Sequence, residues 1–150
     1  MHNILEIFQN RILLCGVASW FVAQALKVPL YWFVEKELNW KRFFGSGGMP
    51  SSHTAFVVSL ALMVGFTQGF NTASFAIAFV LACIVMYDAT GVRRETGTQA
   101  TVINQILRDV LIDGKPISDE ELKELVGHTP LEVFFGFVLG IAMGLLFALI

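Results

Sequence analysis

Four stretches of this chain are apolar over lengths that only a bilayer or a deep protein interior tolerates: about Ile12 to Val34, Thr54 to Phe66, Thr72 to Tyr87 and Leu131 to Ile150. A helix needs roughly 20 apolar residues to cross about 30 Å of hydrocarbon, and somewhat fewer where polar residues near its ends reach the interface. Within the first stretch only Ser19, Gln24 and Lys27 are polar, and the second and third are separated by Thr67, Gln68, Gly69, Phe70 and Asn71, which read as a tight turn. The second and third are short for independent insertion, so buried core helices of a soluble protein are the competing reading. Composition decides between them. Of 150 residues, 55% are apolar and 15% charged, which leaves too little polar chain to cover a soluble globule. The expectation is an all-α integral membrane helix bundle of about four transmembrane spans with short interfacial helices, residues 1–150 forming a single domain.

The charge balance excludes one class of partner. Lys+Arg number 10 against 12 Asp+Glu, a formal charge of -2, so there is no basic surface to neutralise a nucleic-acid backbone. Cys15 and Cys83 both lie inside apolar runs, where a thiol acts as a small hydrophobe, and show no disulfide or metal-ligand spacing. The N-terminus runs into a long apolar segment that continues past Ala25 instead of stopping at a small-residue cleavage site, so the segment is expected to stay in the protein.

Two polar stretches join the spans, Glu35 to His53 and Asp88 to Pro130. In the second, Val102, Ile103, Ile106, Leu107 and Val110 recur at helical spacing, which predicts an interfacial helix over Thr101 to Leu111. Ser118 followed by Glu121 is a capping-box pattern for a short helix to Val126, ended by Gly127. Four spans put both polar stretches on one face. That face carries Lys36, Lys41, Arg42, Arg93, Arg94, Arg108, Lys115 and Lys123, against Arg11 on the other, so the positive-inside rule places these loops in the cytoplasm; the plasma membrane is the expected location.

The unusual side chains all fall at that face: Lys27 late in the first span, His53 before the second, Asp88, Arg93 and Arg94 after the third, His128 and Glu132 at the start of the fourth. Ionisable groups near a bilayer are costly, and several converging on one level point to a functional site. Gly45-Ser46-Gly47-Gly48-Met49-Pro50-Ser51-Ser52-His53 is a glycine-rich loop entering a helix start, where backbone N–H groups and the helix dipole favour an anion. Ser51 or Ser52 would serve there equally as an ordinary N-cap. His53 beside such an anion could donate a proton near neutral pH. His128 stands four residues before Glu132, so the carboxylate can hold one ring nitrogen while the other attacks. The same residues also read as a capping box, with Thr129 as N-cap, Pro130 at N1 and Glu132 at N3. Arg93 and Arg94 offer planar forks suited to phosphate, or simply anchor the span.

At these residues the chain resembles the divergent branch of the type 2 phosphatidic acid phosphatases, relatives of acid phosphatases and vanadium-dependent haloperoxidases. Gly47-Gly48-Met49-Pro50-Ser51-Ser52-His53 is similar to the superfamily's Pro-Ser-Gly-His motif with Ser52 in place of glycine, and His128 to Glu132 to its His-x-x-x-Asp with glutamate for aspartate. The resemblance implies a metal-independent, cofactor-free lipid phosphatase with a phosphohistidine intermediate. His128 would be the nucleophile, Glu132 its orienting partner and His53 the general acid. Phosphate would be bound by Lys27, Gly48, Ser51, Ser52, Arg93 and Arg94. The substrate would be a phosphate or diphosphate headgroup of the phosphatidate or polyprenyl class, its chain left in the bilayer. A non-catalytic lipid-phosphate binder or transporter that keeps the anion site is the alternative.

This sequence departs from the family pattern at three points. Val34 stands seven residues after Lys27, where an Arg-Pro would begin; residues 95–127 intervene between the arginines and His128; and four spans make a thin wall where the superfamily core has six helices. A second copy could thicken that wall. Gly136, Gly140 and Gly144 recur every four residues, a small-residue stripe of the kind that lets helices approach closely; packing against another span of the same chain explains it equally well, and a homodimer through it is the expectation.

Overall fold

The computed structural model describes residues 5–36, 43, 48–91, 96–97, 99–104 and 128–150. Within these the chain forms a 3₁₀ turn, Glu6–Gln9, and helices α1 (Arg11–Glu35), α2 (Ser52–Gln68), α3 (Ala73–Thr90) and α4 (Pro130–Leu149), with no strand among the described residues. Each helix starts on a side-chain acceptor. The Asn10 side chain accepts from the N–H groups of Ile12 and Leu13, and Ser51, Thr72 and Thr129 accept from Thr54, Phe75 and Glu132. α1 ends on Lys36 in the left-handed region, its N–H donating to the Trp32 carbonyl. Gly69, at φ +100°, ends α2 and opens the turn into α3.

Three helices are long and apolar enough to cross a membrane: Arg11–Phe33 within α1, α3, and α4. The fourth expected span, α2, has 17 residues, a rise of about 25 Å, short of the roughly 30 Å hydrocarbon core. Its place in the bundle accounts for this. α2 is the hub on which α1, α3 and α4 all pack, so it meets protein on several sides and carries Ser52, Thr54 and Ser59 fully buried. α1 and α3 both rest on α2 and approach each other less closely.

The Gly136, Gly140, Gly144 stripe is occupied within the chain. A Cβ on Gly136 would lie 2.5 Å from the Ser51 carbonyl oxygen, one on Gly140 2.8 Å from Val58 Cβ, and one on Gly144 2.8 Å from Leu62 Cδ2. The stripe is therefore the seam between α4 and α2. Without these three hydrogens in place of side chains, the two backbones could not approach so closely.

The helices run alternately up and down. At one end Arg11 donates to the Phe147 carbonyl at 3.1 Å, joining the start of α1 to the last turns of α4. Ile12 packs near the same end against a core of Ala61, Val64, Ala78 and Ala82. The other end holds the C-terminus of α1, the starts of α2 and α4 and the close of α3, so the expected grouping of both connecting stretches at one end of the bundle is what the helix directions give. Residues 96–97 and 99–104 are helical, with Gly97, Ala100 and Asn104 buried and Val102 and Ile103 turned outward. The rest of the expected interfacial helix, residues 105–111, and the helix expected over Ser118 to Val126 lie outside the described residues.

Candidate functional site

The site is assembled by two backbone hydrogen bonds between helix ends. Ser51 N–H donates to the Glu132 carbonyl at 2.9 Å, and His128 N–H donates to the Ala89 carbonyl at 3.0 Å. The first fixes the start of α2 to the first turn of α4. The second fixes His128 to the last turn of α3. Three segments far apart in sequence are thus held in register before any side chain is considered.

On that frame Thr129 caps α4, and Glu132 at N3 reaches back: Thr129 N–H donates to Glu132 Oε2 at 3.1 Å and Glu132 N–H to Thr129 Oγ1 at 3.3 Å. The same Oε2 stands 2.8 Å from Nδ1 of His128, itself 5% exposed. The two readings of this motif are both realised by one carboxylate. An ionised carboxylate only accepts, so Nδ1–H is the donor, and the lone pair of the imidazole is at Nε2. The capping box holds Glu132, Glu132 holds the ring, and the ring presents its basic nitrogen.

His53, on the first turn of α2, places its ring centroid 6.4 Å from that of His128 at a tilt of 57°. His53 is exposed where His128 is buried. Lys27, from α1, is 3% exposed, its Cδ 3.9 Å from where a Cβ on Gly48 would be; Gly48 itself has φ +89°. A side chain at Gly48 would be strained by that backbone. Lys27 and Glu132 act on each other electrostatically, which sets the cation and the carboxylate in one neighbourhood. Ser51 Oγ is the α2 cap, accepting from Thr54 N–H at 3.4 Å and Thr54 Oγ1 at 3.0 Å, and Ser51 and Ser52 are both buried. Asp88 lies on the last turns of α3, at the same end. Arg93 and Arg94 lie outside the described residues. Among the described residues no three His, Cys, Asp or Glu side chains gather as metal ligands would.

Several features here have no signature in the sequence. A cleft of about 350 Å³ opens beside the two histidines, its other walls formed by Trp20 of α1, Phe56 and Val57 of α2, and Val85 and Ala89 of α3. Its residues come from four separate segments, so no local spacing marks them. The Ala89 carbonyl positions His128 through a backbone atom that any residue type carries. Gln24, one turn along α1 from Trp20, is buried with its Oε1 lacking a hydrogen-bond partner.

The fold and site define an α-helical membrane bundle that sets a carboxylate-held histidine opposite a second histidine, near the start of α2 and a buried lysine. The chain belongs to the Divergent PAP2 family, whose model matches residues 8–143. An uncharacterized membrane protein of Bacillus subtilis (strain 168), YuiD, is 40% identical to it over 154 residues, covering 96% of this chain and 98% of that protein. No solved structure matches the chain.

Proposed function

We propose that this protein is a membrane lipid phosphatase, hydrolysing a phosphate or diphosphate headgroup at the end of the bundle where the two histidines meet. The observation that carries the reading is the 2.8 Å contact of His128 Nδ1 with Glu132, made opposite a second imidazole whose centroid is 6.4 Å away. The two rings would serve a phosphoryl group held beside them as nucleophile and proton donor. Membership of the Divergent PAP2 family supports the same reading.

In the proposed reaction His128 Nε2 attacks phosphorus, the ester P–O bond breaks, and protonated His53 gives its proton to the departing oxygen. The phosphoryl group then sits on His128, and the imidazolium formed is stabilised by Glu132. A water attacks it, losing a proton to His53; the P–N bond breaks, inorganic phosphate leaves and both histidines return to their starting states. Lys27 and the N–H groups at the start of α2 balance charge on the equatorial oxygens, and Arg93 and Arg94 are proposed to add bidentate contacts. The site loops are proposed to face the cytoplasm.

The test is phosphate release from lipid phosphates by purified protein and by His128→Ala. Release by the wild type that disappears in the variant is the expected result. Equal release by both would reject the enzymatic reading. Orthovanadate bound by the wild type without any release would mark the site as a lipid-phosphate binder.

A further inference from the structure

We propose that the cleft between α1 and α3 takes a single hydrocarbon chain, making this protein selective for lipid phosphates that carry one chain over those that carry two. This rests on the phosphate site proposed above only for the position of the headgroup.

The cleft exists because α1 and α3 both pack on α2 and leave a gap between themselves. α2 forms its floor with Phe56 and Val57, and Trp20 and Ala89 face it from either side. Phe56 lies against α1 because Gly16 has no side chain: a Cβ there would be 3.3 Å from Phe56 Cζ. Among the described residues that line it, the two imidazoles of His53 and His128 and the indole N–H of Trp20 are the polar groups, and the remaining lining is apolar. Such walls give water too few partners to be well held, and they suit the stem of a molecule that is anionic at one end and apolar along the rest. A helix from a second copy is too wide for the space, since a helix with its side chains is about 10 Å across.

Chain number follows from volume and from the mouth. At roughly 30 Å³ for a water-sized group, the 350 Å³ of the cleft holds about a dozen methylene-sized groups, enough for much of one chain and not for two. A glycerol that bears two acyl esters branches within a few bonds of phosphorus. With the phosphate between the imidazoles, that branch falls at the mouth, between rings whose centroids are 6.4 Å apart and against the wall formed by Ala89. An unbranched or isoprenoid stem passes the same point without a clash.

Trp20 supplies the readout. With Trp32→Phe and Trp40→Phe, Trp20 is the sole tryptophan of the three in the chain, and a bromine on a bound chain quenches its fluorescence. The probes are ω-bromododecyl phosphate, a brominated diacyl phosphatidate and ω-bromododecanol, titrated into the protein in detergent micelles, with orthovanadate as competitor. The expected result is saturable quenching by the one-chain phosphate at a concentration at least about tenfold below that for the diacyl phosphate, a difference equal to roughly two methylenes left unburied. Ala89→Phe should weaken the one-chain phosphate by a similar factor. Val85→Ala, which removes volume and crowds nothing, should narrow the preference by strengthening the diacyl probe.

Equal affinity for one-chain and two-chain phosphates, or a preference unmoved by Val85→Ala, overturns the inference while vanadate competition keeps the phosphate site intact. Bromododecanol quenching as strongly as its phosphate, with no effect of vanadate, overturns the phosphate site and this inference together.

Discussion

Replacing Gly136 with alanine is the sharpest mechanical test of how the site is held. The added Cβ would lie 2.5 Å from the Ser51 carbonyl oxygen, 3.0 Å from Thr54 Cβ and 3.1 Å from Ser51 Cβ. The nearest of these atoms is backbone, so no side-chain rotation relieves the contact. Restoring an ordinary separation moves the start of α4 away from α2 by roughly 1 Å. Ser51 is also the residue whose N–H donates to Glu132 at 2.9 Å, so the displacement acts one turn from the carboxylate that holds His128. Overpacking of this kind costs about 1–3 kcal/mol, offset in part by the roughly 1 kcal/mol by which alanine is the better helix former. The net loss of stability is therefore about 1 kcal/mol, a modest fall in the thermal midpoint. A 1 Å misplacement of catalytic groups costs on the order of 100-fold in rate, so activity should fall far more than stability. Gly144→Ala is the control: its nearest contact, 2.8 Å, is to the terminal Cδ2 of Leu62, a flexible atom at the far end of the bundle. The assay is phosphate release alongside thermal unfolding in detergent for both variants. Full activity and an unchanged midpoint in Gly136→Ala would refute the claim that this glycine sets the spacing of the site.

Other outcomes follow from the same geometry. Glu132→Gln keeps an acceptor for the capping box but no longer fixes the His128 tautomer, and phosphate release should drop by about 10³–10⁴-fold with helix content by circular dichroism unchanged. His53→Ala should slow release of a lipid alkoxide by roughly 10²–10⁴-fold and slow p-nitrophenyl phosphate much less, since nitrophenolate leaves without a proton; equal losses on both would remove His53 as general acid. Lys27→Met removes a buried cation and should weaken orthovanadate binding by about tenfold or more, with a thermal midpoint equal to or above the wild type, because burying an ammonium is itself costly. Cysteines introduced at Asn71 and at Thr129, in a Cys83→Ser background, should react with a membrane-impermeant maleimide from opposite sides; labelling from one side would mean that α3 does not cross.

What the sequence made legible was local. The start of α4 is written in Thr129, Pro130 and Glu132, because caps act over three residues, and the histidine four positions from Glu132 is a helical neighbour by construction. The expected spans beginning at Ile12 and Leu131 match α1 and α4 to within a residue or two at each start. The glycine period was equally plain, but a stripe states that something comes close and not which helix does. The choice of α2 depends on Ser51, Thr54, Val58 and Leu62 filling the groove, a relation across about 80 residues of sequence. The second of the four expected spans, α2, stops at 17 residues, ended by Gly69, and packs on the other three helices. Lys27 had no motif partner in sequence, and only the packing of α1 beside the start of α2 brings it to Gly48. The cleft was invisible, since its walls come from four segments far apart in sequence.

The account stands or falls on a phosphoryl group passing through His128. Protein mixed with a lipid phosphate, quenched in alkali where an N-phosphoryl bond survives, and digested for mass spectrometry should carry that group on the peptide containing His128 and lose it in His128→Ala. Turnover with the peptide unmodified, and with His128→Ala as active as the wild type, would contradict it.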